Sequence, residues 1–398
     1  MSDYKSGMAA ALEKSEARSR RAKKIVRRAP NGLCCQVIGS VVALVVIIAL
    51  AVGLGVGLSR NSKSSSSGSK GGATNPESSD SVGSDPSNFV KDDRLHQSFY
   101  GIAYTPEGSI MPNCGATLEN VIKDIQLMSQ LTKRVRLYGA DCNQSALVLE
   151  AIQQTKVDMQ VYLANYDVPG DSDAYTRQRD TLKEAIQTYG TDHIAGITVG
   201  NEYILNYLND NGGTDPNDSV GNAGAKLLIA DIDDTKQMLS DLGVDLPVGN
   251  SDAGSYFNDQ VLESVDYGMS NVHAWFANTT ADDAASWVFS FFEETNVEPA
   301  SQLSNKPQMY IAETGWPTKS SDEGNANNGA SDASVANLQI FLDDFVCQAN
   351  ANNTGYFFFE FFDEEWKDEM YGGVEGWWGL FTKDRQLKDL TIPDCAAP

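Results

Sequence analysis

From about residue 96 onward, the chain alternates short, nearly continuous apolar runs with longer segments of three- and four-residue periodicity. The runs are SFYGIAYT (98–105), RVRLYGA (134–140), DMQVYLANY (158–166), IAGITVGNE (194–202), LPVGNSD (246–252), MSNVHAWF (269–276), QMYIAETGW (308–316) and TGYFFFEFF (354–362). Between them, Leu118, Val121, Ile122, Ile125 and Met128 fall on one helical face. Leu227, Leu228, Ile232, Met238 and Leu239 do the same and stop at Gly243, a helix-ending residue. Strands that are apolar without alternation are covered on both faces, which implies a parallel sheet packed between helices. Eight such strand–helix units in about 300 residues predict an α/β fold of the (β/α)8 TIM-barrel type over 96–398. An open doubly wound sheet is the alternative. It lacks support, because no GxGxxG follows a strand in this region.

Upstream the pattern changes. Residues 37–58, VIGSVVALVVIIALAVGLGVGL, carry no charge. As a helix they would span roughly 33 Å at about 1.5 Å per residue, enough to cross a bilayer core. A cleaved signal peptide would have a shorter apolar core and a briefer basic leader. Residues 1–36 hold nine Lys/Arg against three acids, which places this tail in the cytosol and the bulk of the chain outside. The expected topology is a single-pass type II signal anchor in the cell membrane. Cys34 and Cys35 stand at its cytosolic edge, where S-acylation occurs. Residues 59–95 form the expected flexible stem, with 12 Ser among positions 59–93. Such a composition buries too little apolar surface to fold.

Charge and cysteine content narrow the function. The net charge is −24, and beyond residue 36 there are 21 Lys/Arg against 51 acids. An acidic body of this kind excludes a nucleic-acid partner, which demands a basic face. The three His residues (His96, His193 and His273) and the cysteines show no metal-ligand spacing, so neither a metal nor a cofactor is expected. Cys114, Cys142, Cys347 and Cys395 lie beyond the span and are even in number, as in a disulfide-bonded extracellular domain. Of three connectivities, Cys114–Cys142 and Cys347–Cys395 join neighbours in chain order. Four N-x-S/T sites, Asn143, Asn217, Asn278 and Asn352, are candidate glycosylation positions.

Barrel enzymes carry their chemistry at the C-terminal strand ends. Here those ends present Tyr100, Arg136, Tyr138, Asn201, Glu202, His273, Trp275, Glu313, Trp316 and Glu360, with Lys367 just beyond. Carboxylates beside aromatics and amides suit a sugar. Rings stack on pyranose faces, amides bond hydroxyls, and two carboxylates cleave the glycosidic bond. Glu202 and Glu313, on strands four and seven, are the candidate pair. A separation of about 5–5.5 Å would mean a retaining double displacement. The acid partner should have a raised pKa while the nucleophile stays ionised.

ITVGNE (197–202) and IAETGWPT (311–318) closely resemble the two signature segments of glycoside hydrolase family 17, the β-1,3-glucanases of plants and fungi. FYGIAY (99–104), RLYGADC (136–142), NVHAWFA (271–277) and FFFEFFDEEWK (357–367) look like its fungal branch. The resemblance implies a retaining barrel with Glu202 as general acid/base, Glu313 as nucleophile and Asn201 bonding the sugar 2-hydroxyl. It further implies that Tyr138, Trp275 and Trp316 line subsites. Tyr100, Arg136, His273, Glu360 and Lys367 complete the candidate substrate-binding set. The expected activity is endo-hydrolysis of β-1,3-glucan in a fungal cell wall by a membrane-anchored enzyme. The alternatives are a β-1,3-glucanosyltransferase or β-1,6-branching activity on the same site, and a non-catalytic glucan tether.

Overall fold

The structure, a computed structural model, describes residues 85–398. The expected cytosolic tail, membrane span, Cys34, Cys35 and most of the stem lie outside the described residues. Among the described residues no helix is long and apolar enough to cross a membrane.

All eight apolar runs overlap strands, β6 starting two residues ahead of its run: β1 Gly101–Ala103, β2 Arg134–Arg136, β3 Gln160–Asn165, β4 Ile194–Asn201, β5 Val248–Ala253, β6 Tyr267–Asn271, β7 Gln308–Thr314 and β8 Tyr356–Phe358. Each pairs in parallel with its chain neighbours. The sheet closes where Gly101 and Ile102 of β1 meet Phe357 and Phe358 of β8. Helices follow the strands: α1 Leu118–Met128, α2 Gln144–Thr155, α3 Ser172–Tyr189, α4 Tyr203–Asn211 and α5 Ser219–Leu242, then α6 Asp259–Glu263, α7 Ala281–Phe292, α8 Val335–Ala351 and α9 Glu365–Tyr371. Two helices follow β4; after β6, α7 continues through a π segment into a short helix, Glu298–Ser301; one helix follows each of the other strands.

Local chemistry starts and stops these helices. Asp218 accepts from the Val220 and Gly221 amides at the head of α5, satisfying donors that have no partner within the helix. Thr117, Asp171, Thr280 and Ser334 cap α1, α3, α7 and α8 in the same way. α5 ends at Gly243, whose φ of 70° is the left-handed cap expected there. The apolar helix faces bury against the outer surface of the strands. Inside the barrel, Ala103, Tyr162, Tyr267, Met269, Ala312 and Phe357 form a separate layer. The floor beneath the C-terminal mouth is therefore solid rather than a pore.

Disulfides join Cys114 to Cys142 and Cys347 to Cys395, the pairing expected from chain proximity. They span 28 and 48 residues, and on the chain-entropy account each contributes about 3.5–4 kcal/mol. The first fastens the loop after β1 to the turn before α2. The folded body also begins earlier than the stem boundary at residue 96. Gln126 of α1 donates to the Pro86 carbonyl at 2.8 Å, Gln130 accepts from the Asp92 amide at 2.7 Å, and Leu95 is buried. All four sequon asparagines are exposed.

Candidate active site

The floor of the mouth is built on Arg136, at the end of β2 and 1% exposed. A buried guanidinium needs acceptors on several sides, and three strands supply them. Nη1 donates to Glu313 Oε1 at 3.0 Å, and Nη2 donates to Asn201 Oδ1 at 2.7 Å and to Ser251 Oγ at 2.9 Å. The tips of β2, β4, β5 and β7 are thus held in one network. The Tyr138 ring lies 4.3 Å from the guanidinium, and its hydroxyl is buried without a protein partner.

Glu313, second to last in β7, is gripped on both oxygens. Arg136 holds Oε1, and His273 Nε2 donates to Oε2 at 3.1 Å. Burial alone would raise this carboxyl. The His273 hydrogen bond and the Arg136 charge overcome it and hold the pKa at about 2.

Glu202 follows β4 directly, at a φ of 58° in the left-handed region. A non-glycine residue held there costs on the order of 1–3 kcal/mol, the kind of strain that clusters at functional sites. Its carboxyl receives one weaker support, Asn271 Nδ2 donating to Oε1 at 3.1 Å. Burial, then the charge of Glu313, push its pKa up to about 7, and the Asn271 bond only partly offsets them. The two glutamates are thereby shifted in opposite directions, Glu202 upward and Glu313 downward.

Asn201 has its oxygen saturated by Arg136, Ser251 (3.2 Å) and Asn271 (3.4 Å). Its amide N–H groups have no protein acceptor and remain available at the mouth.

Glu360 and Lys367 meet beneath the rim. Lys367 Nζ donates to Glu360 Oε2 at 2.6 Å, pairs with Glu364 at 3.1 Å, and lies 4.6 Å from the Phe359 ring centre. Burial and the neighbouring Glu364 push the Glu360 carboxyl well above its usual range. Its Oε1 atom has no protein partner.

Three expected residues are placed elsewhere. Trp316 is fully buried, edge-on to Trp275 at 5.6 Å, with its N–H donated to the Asp332 carbonyl at 2.8 Å. Both indoles are core: the chain leaving β7 turns Trp316 inward onto Phe341 of α8, and Trp275, in the turn after β6, packs against it. Gly315 permits that turn: a Cβ there would stand 2.0 Å from the Phe359 carbonyl oxygen. Tyr100 precedes β1 and so lies at the opposite end of the barrel. There it packs on Tyr310 and Tyr356 beneath the Arg134 guanidinium. The rings near the site are instead Tyr138, Tyr166, Phe359 and the half-exposed Phe276, which stands beside His273 at 5.9 Å.

Sequence reasoning passed over Asn271, Ser251 and Glu375. The first two are short polar residues at strand ends, which was the available signal. Glu375 lies in a loop beyond α9, where no strand count reaches. Burial, with a smaller push from the Glu313 charge, raises its pKa to about 7, and its own charge acts on Glu202. Among the described residues, no His/Cys/Asp/Glu group has the arrangement of a metal site.

Comparison with known proteins matches residues 101–379 to the BtgE/BtgC glycoside hydrolase domain. A probable glucan endo-1,3-beta-glucosidase btgC of Aspergillus flavus is 34% identical over 344 residues, covering 82% of this chain and 48% of its own. The chain thus spans about half the length of the curated relatives it matches. Among solved structures, the glycoside hydrolase family 17 beta-1,3-glucanosyltransferase of Rhizomucor miehei is 28% identical with a TM-score of 0.59, covering 75% of this chain and 97% of its own. An active-site mutant of that enzyme in complex with laminaritriose aligns equally well, at 27% identity and a TM-score of 0.59, over 75% of this chain and 98% of its own.

Proposed function

The chain belongs to the BtgE/BtgC glycoside hydrolase domain family, and from that premise we propose that it is a retaining glycosidase cleaving β-1,3-glucan. The observation that carries this reading is the opposite treatment of two glutamates in one cleft. Glu313 is clamped ionised by Arg136 and His273, while Glu202 is partly buried with a single amide donor.

In the first step a Glu313 oxygen attacks the anomeric carbon. The glycosidic C–O bond breaks as Glu202 passes its proton to the leaving oxygen. Glu202, now ionised, then takes a proton from water as the water oxygen attacks the same carbon and Glu313 departs. General acid–base catalysis of this kind supplies roughly 10²–10⁴-fold. The free N–H of Asn201 is positioned to donate to the 2-hydroxyl of the sugar between the two acids. The hydroxyls of Tyr138 and Tyr166, buried and unpartnered, are further donors for sugar oxygens.

A soluble β-1,3-glucan assay on the full chain tests the proposal. The wild type should release oligosaccharides, and a folded Glu313→Gln variant should not. Undiminished cleavage by that variant would overturn the assignment.

Transfer is the second reading, favoured by the structural likeness to a beta-1,3-glucanosyltransferase. A sugar hydroxyl would then replace water in the second step. Product sizing separates the two, since transfer yields chains longer than the starting oligosaccharide. We further place the barrel outside the cell, tethered through residues 37–58 in type II orientation and facing wall glucan. Protease added to intact cells should remove the barrel and spare an N-terminal tag.

A further inference from the structure

Glu202 stands at a position whose usual chemistry it does not perform. It precedes the first residue of α4, and its carbonyl accepts the first helical bond, from the Asn206 amide at 3.0 Å. A residue at that place ordinarily folds its side chain back onto the exposed amides of the first turn. Glu202 makes no such bond. Its carboxyl is turned to the mouth, where Asn271 donates to it. Tyr203, Ile204 and Leu205 are buried, so the first-turn amides of α4 need an acceptor from elsewhere in the protein.

The neighbouring strand supplies it. The Ile204 amide donates to Asp252 Oδ2 at 2.8 Å, and the Leu205 amide lies beside the same carboxyl. The other oxygen, Oδ1, accepts from the Ala253 amide at 2.9 Å, and the side chain is fully buried. The two residues before Asp252 on β5 hold the chain just upstream. Asn250 Nδ2 donates to the Val199 carbonyl at 2.8 Å, and the Ser251 carbonyl accepts from the Glu202 amide at 3.1 Å. Three successive residues of β5 thus fix the chain on both sides of Glu202.

The chain bends sharply where it is held. Gly200 (φ 82°) and Glu202 (φ 58°) are both left-handed, and the β4–β5 register shifts between Thr198 and Asn201. Irregularities of this kind re-aim side chains next to active sites. A glutamate in the left-handed region persists only where its surroundings over-determine it. We propose that Asp252 is a positioning residue for the acid/base: by capping α4 in place of Glu202, it leaves the Glu202 carboxyl free and aimed at the glycosidic oxygen. The inference rests on the reading of Glu202 as the acid/base. Without Asp252, the orphaned amides draw the Glu202 carboxylate onto themselves, where the helix N-terminus favours its ionised form. The other titratable or charged groups around Glu202 are Glu313 on β7, Arg136 on β2, Tyr166 after β3 and Glu375 beyond α9.

The test compares the full chain with Asp252→Ala and Asp252→Asn on soluble β-1,3-glucan. Asn keeps an oxygen for the Ile204 amide. Burial already pushes the Asp252 carboxyl well above its usual range, so the exchange alters charge little. Asp252→Ala should lower kcat roughly 100-fold, the scale of a misplaced catalytic group, with KM within about twofold of wild type. The basic limb of its pH–rate profile, which reports Glu202, should move to lower pH. Asp252→Asn should recover most of kcat and the wild-type limb. Equal losses in the two variants would overturn the proposal, since capping would then not be what matters. So would an Asp252→Ala variant whose kcat per folded molecule and basic limb are unmoved, which marks a purely structural role. Asp252→Ser, too short to reach Ile204, replaces Asp252→Ala if that variant does not fold. A titration separates this inference from the reading beneath it. If the wild type proves inert, NMR of 13C-carboxyl-labelled glutamate, assigned by the signal lost in Glu202→Gln, follows Glu202 directly. A midpoint that falls in Asp252→Ala and not in Asp252→Asn still supports the positioning role. An unmoved midpoint refutes it.

Discussion

The Arg136 guanidinium and the Glu313 carboxylate form a buried ion pair at 3.0 Å, with the arginine 1% and the glutamate 7% exposed. Breaking such a pair from one side leaves a buried charge uncompensated, at a cost of about 3–5 kcal/mol. Arg136→Met should therefore lower the midpoint of denaturant unfolding substantially. It should also raise the Glu313 pKa, moving the acidic limb of the pH–rate profile to higher pH. A variant of wild-type stability with an unmoved acidic limb would show that the pair is not holding Glu313.

The two glutamates set the pH range. Glu313 must be ionised and Glu202 protonated, so kcat/KM should rise through about pH 2 and fall through about pH 7. Stability follows a related window. The Glu313 pKa is depressed from 4.5, so its contribution is present above that value and is lost as pH falls toward 2. The Glu202 pKa is raised from 4.5, so its contribution is present below that value and is lost as pH rises through 7. Chemical denaturation across this range should show greatest stability in mildly acidic buffer.

Glu375 acts on this profile from the rim. Its charge helps keep Glu202 protonated, and it titrates in the same range, so the basic limb belongs to the coupled pair. Glu375→Gln should shift that limb to lower pH with little change in kcat at the optimum. An unshifted limb would remove Glu375 from the account.

Trp316 provides the contrast between core and cleft. It is fully buried and packs on Trp275 and Phe341. Trp316→Ala should cost about 3–5 kcal/mol in stability, and the folded fraction should keep its KM. Phe276→Ala removes a half-exposed ring beside His273. It should do the reverse, raising KM for glucan at nearly unchanged stability.

The eight strands and the placement of Glu202 and Glu313 were legible in the sequence, because both-face burial leaves continuous apolar runs and a parallel barrel puts every strand end on one face. The direction of individual side chains was not. Trp316 follows Glu313 by three residues, yet the turn at Gly315 sends it inward, a reversal set by the Phe359 carbonyl crossing from β8. Tyr100 was assigned to the wrong end of the barrel because β1 spans only Gly101–Ala103 within an eight-residue apolar run. Glu375 was invisible to strand counting, since its position depends on how the loop beyond α9 folds back over the mouth.

The central claim is that Glu313 carries the glycosyl ester, and trapping that ester tests it most directly. In Glu202→Gln an activated aryl β-glucoside oligosaccharide needs no acid to leave, but water lacks its base, so the intermediate should accumulate. Peptide mass spectrometry after denaturation should then find one added glycosyl mass on the peptide containing Glu313. Label on another residue, or turnover of the activated substrate with no labelled peptide, would contradict the account.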